Sequence, residues 1–200
     1  MFLMLATIIT VGLSVAHIPT SHTSKYKIDP AQSTIVWTGK KVTGQHTGNI
    51  SIASGTVMVN HGKMESVNLT IDMKSITNTD LDEDSGAKLL GHLKSDDFFS
   101  VESHPEASFS ATSFTIIPGA KEGQENFNIN GDLTIKGITH PLSFPARIDV
   151  GNGQLTAIGK ATFDRSKYEV KYGSGSFFKG LGDNLIYDDV EITFALVAAE

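Results

Sequence analysis

Apolar and polar residues alternate along much of the chain with a period of two. In residues 64–74, the apolar positions on one face are Val67, Leu69, Ile71 and Met73, and the positions between them are polar. This alternation is typical of a β-strand with one face in an apolar interior and the other in water. The segment therefore predicts a half-buried strand.

The same alternation recurs often enough to predict about eight strands. The other candidate segments are residues 32–42, 46–59, 107–117, 127–135, 142–150, 155–163 and 190–196. Asn60–Lys63 and Lys136–Thr139 have the composition of tight turns, and tight turns connect antiparallel neighbours. The pattern predicts an antiparallel sheet.

One segment has helical spacing instead. Residues 83–94 carry Ala87, Leu90 and Leu93 at helical intervals, with Thr79 and Asp80 as candidate caps. The glycine-rich residues 172–183 interrupt the last long connection, where we expect a short helical turn. These features predict an all-β fold with one helix.

Eight antiparallel strands can close into a barrel or pack as a sandwich, and the barrel is favoured because closure removes exposed strand edges. A chain of 200 residues, 40% of them hydrophobic, fits one domain. The expected inward positions include the small residues Ala111, Ala146, Ala157, Gly159 and Ala161. Small residues favour a hollow lumen, although a lumen filled by side chains is the alternative.

The first 16 residues are almost wholly apolar, and the first charged side chain is Lys25. Ser14-Val15-Ala16 is a small-x-small triplet, which predicts a signal peptide over residues 1–16 with cleavage after Ala16. A membrane anchor is the alternative, but the run is shorter than the about 20 residues that cross a bilayer. We expect a polar lead-in over residues 17–25, a domain over residues 26–198 and a periplasmic or secreted location.

Composition excludes several classes of function. With 16 basic and 22 acidic residues the net charge is −6, so nucleic acid is not an expected partner. The chain has no cysteine, which removes disulfides, thiol catalysis and zinc–thiolate sites. The seven histidines show no metal-ligand spacing, and no nucleophile elbow is present. We therefore predict no metal, no cofactor and no catalytic residues.

Two phenylalanine pairs, Phe98-Phe99 and Phe177-Phe178, lie in predicted connections, where we expect them to be buried. Either they plug the ends of the barrel as ordinary core, or they line the mouth of an apolar channel.

Several motifs together resemble the YceI-like domain over about residues 26–198. They are Tyr26-x-Ile28-Asp29-Pro30, Trp37-Thr38-Gly39-Lys40, Gly44-x-His46-x-Gly48, His92–Phe99, Pro105-x-Ala107-x-Phe109, Gly131–Gly137 and Phe163-Asp164-Arg165-Ser166. Glu169 departs from the family pattern, which has a glycine shortly after the last motif.

The resemblance implies a lipocalin-like, eight-stranded antiparallel barrel with the helix at one end and an amphiphilic lipid in the lumen. It implies no catalytic residues. Strand parity and the motifs together give the candidate lining residues Trp37, Leu69, Ile71, Leu93, Phe98, Phe109, Leu133, Phe144, Phe163, Tyr168 and Phe177.

Arg165 and His92 are candidate contacts for a polar head group. For Arg165 the alternative is a salt bridge or hydrogen bonds at a barrel end, and for His92 it is a solvent-facing or capping position.

These observations favour a binding protein that holds a polyisoprenoid or quinone-like lipid for transport or storage, with the membrane involved only as the source of lipid. One alternative is a small enzyme that acts on a hydrophobic substrate and uses His92, Arg165 or Asp164 as acid–base groups. Another is a stress-related or structural protein with a filled core. The oligomeric state is open, a homodimer being one candidate.

Overall fold

The computed structural model describes residues 22–200. The predicted signal peptide, residues 1–16, lies outside the described residues, as does the predicted lead-in up to residue 21. The strands are β1 (Thr23–Ile28), β2 (Thr34–Lys41), β3 (Gly44–Asn49), β4 (Ser51–Asn60), β5 (Lys63–Asp72), β6 (Glu106–Ile116), β7 (Phe127–Ile135), β8 (Ile138–Gly151), β9 (Gln154–Asp164) and β10 (Ile186–Ala199). The helix α1 spans Glu83–Lys94, and 3₁₀ turns lie at Met73–Ser75, Arg165–Tyr168 and Gly182–Asn184.

The ten strand segments form a closed barrel with eight positions. β1 and β2 both pair antiparallel with β10, one after the other along its length, while β3 pairs with β2 and β4 with β1. β1 and β2 together therefore occupy one position of the barrel, and β3 and β4 together occupy the next. β5 to β10 follow in chain order, and the β1–β10 pairing closes the ring, with Ile28 opposite Ala198. The predicted antiparallel barrel is confirmed.

The tight turns fix the register of the hairpins. His61 and Gly62 both have positive φ, and so do Lys136 and Gly137. Positive φ at both central residues matches the twist of two-residue hairpins, and glycine adopts it without steric cost. Register then decides which side chains face inward, because a shift of one residue would reverse every side chain.

Residues 46–59 do not form one continuous strand as predicted. The ladder is interrupted at Ile50, whose amide donates to the Ile35 carbonyl at 3.0 Å. At this residue the chain passes from β2 as its partner to β1. The pairing of long-range neighbours, which local alternation does not reveal, causes the interruption.

Helix α1 has the predicted bounds but a different cap. The Asp82 carboxylate accepts a hydrogen bond from the Ser85 amide at 3.0 Å. Thr79 and Asp80, the predicted caps, bind β3 instead: the Thr79 amide donates to the Thr47 carbonyl, and Asp80 accepts from the Thr47 amide. The segment before the helix thus covers the outer edge of β3.

Helix α1 lies at one end of the barrel and packs there on an apolar cluster. Leu93 is buried in this cluster with Trp37, Ile76, Phe98 and Val170. The Trp37 indole donates to the Thr77 carbonyl at 3.0 Å, which ties β2 to the segment before the helix. Within residues 22–200, no helix has the length and apolar character needed to cross a membrane.

Candidate functional site

The barrel encloses an apolar cavity of about 170 Å³. Each side chain that lines it is aliphatic or aromatic, and these side chains come from strands around the whole ring. An apolar cavity of about 150 Å³ stays dry and holds a molecule of the size of benzene. The lumen is therefore hollow, and its chemistry suits a hydrocarbon group.

Three phenylalanine rings reduce the free volume of the lumen. The rings of Phe109 and Phe144 are 5.4 Å apart between centroids, and those of Phe144 and Phe194 are 5.6 Å apart. Glycine makes room for two of them, because a Cβ at Gly131 or Gly159 would lie 2.6 Å from the Cζ of Phe109 or Phe194. Of the small inward residues predicted from the sequence, Gly159 thus leaves space for a ring.

A second cavity of about 140 Å³ lies at the helix end, bounded by α1, β2 and the start of β10. It shares Ile50, Met73 and Ile192 with the lumen, so the two cavities adjoin. Trp37, Leu93 and Phe98 also line the second cavity.

Of the residues that the structure describes, four with basic side chains border the second cavity, and none borders the lumen. They are Lys40, Lys41, His46 and Arg165, although nearly all of the surface that lines the second cavity is apolar. The site therefore changes from a barrel interior without basic residues to an apolar barrel end that has basic residues in its wall.

Arg165 is buried in the wall of the second cavity. Its guanidinium donates to the backbone carbonyls of Tyr187, Val170 and Ile186 at 3.1–3.2 Å. Its Cζ lies 5.5 Å from the centroid of the Phe98 ring. Arg165 therefore forms hydrogen bonds at a barrel end, which was the alternative to contact with a head group. Its side chain also borders the second cavity.

The charge of Arg165 is balanced by a carboxylate. Arg165 Nη2 lies 3.3 Å from Asp188 Oδ1. Burial lowers the pKa of the Arg165 guanidinium, while the charges of Asp188 and Asp164 raise it. An arginine stays protonated under such conditions, so Arg165 adds a compensated positive charge to the wall of the second cavity.

The structure divides the sequence-predicted lining residues between the two cavities. Those in the lumen are Leu69, Ile71, Phe109, Leu133, Phe144 and Phe163. Those in the second cavity are Trp37, Leu93 and Phe98. Tyr168 and Phe177, together with the head-group candidate His92, line neither cavity.

The prediction for Tyr168 is wrong in its position. The ring is buried in the core at the end of the barrel, where it packs against Phe163 and His140 at centroid distances of 5.7 and 5.3 Å. Burial and the nearby charge of Asp164 raise the pKa of its phenol. Tyr168 belongs to a 3₁₀ turn after β9, so the parity of the strand does not continue to it.

The structure also places His92 away from the cavities. Its ring packs edge-on against Tyr172 and Phe98 at 4.2 and 5.0 Å, and Nε2 lies 3.5 Å from Asp97 Oδ2. His92 precedes Leu93, which faces inward from α1, and neighbouring residues of a helix face different directions. His92 is a contact between the helix and the connection that contains Tyr172.

Phe177 is wrongly predicted both as a lining residue and as a buried one. It is 42% exposed, and the neighbouring Phe178 is 49% exposed. Both lie in the connection between the 3₁₀ turn at Arg165–Tyr168 and β10, which extends outside the barrel end. The Lys171 ammonium lies 5.2 Å from the centroid of the Phe177 ring.

Several residues of the site were not identified from the sequence. Ile192 could have been identified, because it lies on the apolar face of a segment that alternates between apolar and polar residues. Met73 continues the face of β5 into a 3₁₀ turn, and Ile50 lies at a break in the ladder. Lys41 had no signal, and His46 had only its place in a family motif, which does not show that it borders a cavity.

The proposed acid–base groups do not converge in the lumen. Asp164 accepts hydrogen bonds from the amide and hydroxyl of Ser166, at 2.9 and 2.6 Å. Arg165 and His92 are paired as described above. Among residues 22–200, no group of three histidine or acidic side chains is arranged to hold a metal ion.

Comparison with known proteins gives a consistent result for the fold. The chain resembles the crystal structure of BcnA from Burkholderia cenocepacia, with a TM-score of 0.65 and 24% identity over 86% of this chain and 99% of that one. It also resembles a structure described as a polyisoprenoid binding domain from Saccharophagus degradans, implicated in plant cell wall breakdown. That match has a TM-score of 0.61 and 13% identity over 87% of this chain and 97% of that one.

Relatives are also found by sequence. Protein YceI of Escherichia coli O17:K52:H18 is 32% identical over 107 residues, which cover 54% of this chain and 49% of that protein. The chain thus spans about half the length of the curated relatives that it matches. The YceI-like domain family matches residues 26–198, nearly the whole barrel. With its motifs, its barrel and this match in agreement, the chain belongs to the YceI-like family.

Proposed function

We propose that this protein binds one isoprenoid or quinone-like lipid, with the tail in the barrel lumen and the polar head in the second cavity, for transport or storage. The observation that carries the proposal is the wholly apolar lumen adjoining a cavity that contains Arg165. A hydrocarbon tail gains from such surroundings, while the basic residues that border the second cavity supply partners for a head group.

The energetics suit a protein that takes up and releases its ligand. Burying a methylene group is worth about 0.8 kcal/mol relative to water. The ligand's alternative location is a bilayer, where the tail is already in hydrocarbon, so the apolar gain nearly cancels. Exchange between bilayer and barrel then needs no energy input.

The volume of the lumen in this structure limits the length of the tail that it can hold. A cavity of about 170 Å³ holds only a short hydrocarbon segment. A longer tail requires the rings of Phe109, Phe144 and Phe194 to move, because they occupy the space between the strands. We therefore expect these three rings to differ in position between the free and the lipid-bound protein.

The first test is native mass spectrometry of gently purified protein. We expect a bound amphiphile in a one-to-one ratio, or uptake of an added prenyl lipid such as geranylgeraniol. The proposal fails if the purified protein carries no amphiphile and no added prenyl lipid binds.

A pair of variants then locates the site. Ala161→Leu adds three carbon atoms to the lumen, whereas Thr162→Leu places the same leucine side chain on the neighbouring, outward-facing residue. We expect lipid occupancy to fall in the first variant and to stay unchanged in the second. If Ala161→Leu does not fold, Ala157→Val tests the same lumen with a smaller increase in volume.

We also propose that the protein is exported to the periplasm or secreted, with cleavage after Ala16. The apolar run of residues 1–16 and the small residues Ser14 and Ala16 support this. N-terminal sequencing of the exported protein should begin at His17. Recovery from the cytoplasm with Met1 retained would contradict the proposal.

A further inference from the structure

Exposed apolar side chains are concentrated at one end of the barrel. Eight large hydrophobic residues are exposed among residues 22–200. Five of them lie at the helix end, and we call this group the rim patch: Val42, Tyr172, Phe177, Phe178 and Tyr187. The other three are Ile116, Val150 and Ile158, on strands away from this end. Clustered exposed apolar groups mark an interaction surface, whereas single ones are ordinary.

Contacts connect the rim patch to the second cavity. Tyr187 belongs to the patch and also lines that cavity. The Tyr172 ring lies 5.6 Å from the ring of Phe98, another lining residue. Tyr172 and Phe178 in turn border a common surface groove with Lys41. The patch therefore lies at the end of the barrel that contains the second cavity.

Hydrogen bonds hold the patch in its exposed position. Ser174 is fully buried, and its hydroxyl donates to Asp188 Oδ2 at 2.9 Å, as the Ser176 hydroxyl does at 2.7 Å. The amides of Phe177 and Phe178 both donate to the Ser174 carbonyl, at 3.2 and 3.0 Å. These bonds anchor the connection to β10 and leave the two rings outside.

The charges around the patch are mixed. Lys41 and Lys179 form no ion pair within residues 22–200. Asp96, Asp97 and Asp183 also border the groove. Aromatic tips with adjacent lysines suit the interface of a bilayer, while the nearby carboxylates limit the attraction to anionic lipids.

We propose that the rim patch docks the protein on the surface of a phospholipid bilayer, with the second cavity facing the membrane. This inference rests on the proposed function, because a lipid that moves directly between bilayer and barrel does not have to cross water. The patch lies beside the second cavity, so docking on a bilayer through the patch would bring that cavity close to the lipids.

Vesicle co-sedimentation of the full chain tests the proposal. The vesicles are of phosphatidylcholine alone and of phosphatidylcholine mixed with phosphatidylglycerol. The double variant Phe177→Ser/Phe178→Ser removes two exposed rings from the patch. Its matched control is Ile116→Ser/Ile158→Ser, which removes exposed apolar side chains elsewhere on the barrel.

We expect the wild type and the control to bind both kinds of vesicle and the rim variant to bind about tenfold more weakly or worse. Phosphatidylglycerol should strengthen binding by less than about tenfold, given the mixed charges. Equal binding by the rim variant and the control, or no binding by the wild type, overturns the proposal. Unchanged circular dichroism of the variants shows that the fold is kept.

Two further measurements separate the alternatives. Analytical ultracentrifugation that shows a wild-type dimer and a monomeric rim variant would assign the patch to a second copy of the chain and overturn docking on a bilayer. Native mass spectrometry with dissolved geranylgeraniol, without vesicles, tests the cavity itself. Binding there without vesicle docking contradicts only this inference, whereas docking without any lipid uptake contradicts only the proposed function.

Discussion

The guanidinium of Arg165 and the carboxylate of Asp188 form a buried ion pair, with 3.3 Å between Nη2 and Oδ1. Arg165 is 2% exposed. Within the part of the chain that the structure describes, Asp188 Oδ1 accepts no hydrogen bond, while Oδ2 accepts from Ser174 and Ser176. This pair therefore connects the end of β9, the start of β10 and the connection that carries Tyr172, Phe177 and Phe178 of the rim patch.

Loss of the arginine should destabilise the protein strongly. Arg165→Leu leaves the Asp188 charge and three backbone carbonyls without their partner, and breaking a buried pair costs about 3–5 kcal/mol. We expect a decrease of that size in the free energy of unfolding, measured by urea denaturation. Asp149→Asn, which removes the exposed partner of Arg147, should change it by less than about 1 kcal/mol. Equal effects of the two variants would contradict the role given to the buried pair.

Glu191 predicts a specific dependence of stability on pH. Hydrogen bonds from Lys160 and Lys40 lower its pKa from 4.5 to about 2. Since the folded-state pKa lies below the unfolded value, its contribution to stability is complete above pH 4.5 and is lost as the pH falls toward 2. The difference in unfolding free energy between wild type and Glu191→Gln should follow this course in denaturant titrations at several pH values. A difference that stays constant over this range would contradict the assignment.

Gly48 is required by the segment that covers the edge of β3. A Cβ at this position would lie 1.8 Å from the Thr77 carbonyl oxygen, which is backbone and has little room to move. Gly48→Ala should therefore lower the free energy of unfolding by about 1–3 kcal/mol or more. Gly39→Ala, on the neighbouring strand with no atom within 4 Å of its Cβ, is the control and should be neutral or slightly stabilising. Similar losses in both variants would show that the contact with Thr77 is unimportant.

Glu169 occupies a position that favours glycine. Its φ is 59°, in the left-handed region that glycine adopts without the steric cost of a Cβ. Glu169→Gly should therefore raise the midpoint of thermal unfolding. Glu169→Ala keeps the Cβ but loses the ion pair with Lys171, so it should lower the midpoint slightly. If the glycine variant is no more stable than the alanine variant, the positive φ at Glu169 does not strain the backbone.

The inward faces of the strands could be read from the sequence because each is a local property. Leu69 and Ile71 alternate with polar neighbours and line the lumen, and Phe144 does so on β8. The helix bounds followed in the same way from the spacing of Leu90 and Leu93. The predicted helix cap was wrong. Asp80 has the same side chain as Asp82, the actual cap, but its carboxylate accepts a hydrogen bond from the Thr47 amide instead.

The positions of Tyr168 and Phe177 could not be predicted by the same reasoning. Alternation has meaning only while a residue lies within a strand, and both residues lie beyond the end of β9. Phe177 is apolar, which suggested burial, yet the bonds from Ser174 and Ser176 to Asp188 hold its connection outside the barrel. Hydrogen bonds between distant segments therefore override the hydrophobic preference of a single residue.

The amino-acid order alone determined most of the strands, their inward faces, the helix and the family motifs, because these depend on spacing between near neighbours. It did not determine β1 or the break between β3 and β4 at Ile50. Tertiary structure decided the size of the lumen, the second cavity beside it, the buried pairing of Arg165 and the exposure of the rim patch. Each of these depends on residues far apart in the chain that meet only after the barrel closes. Local periodicity carries no information about which distant side chains then share a cavity.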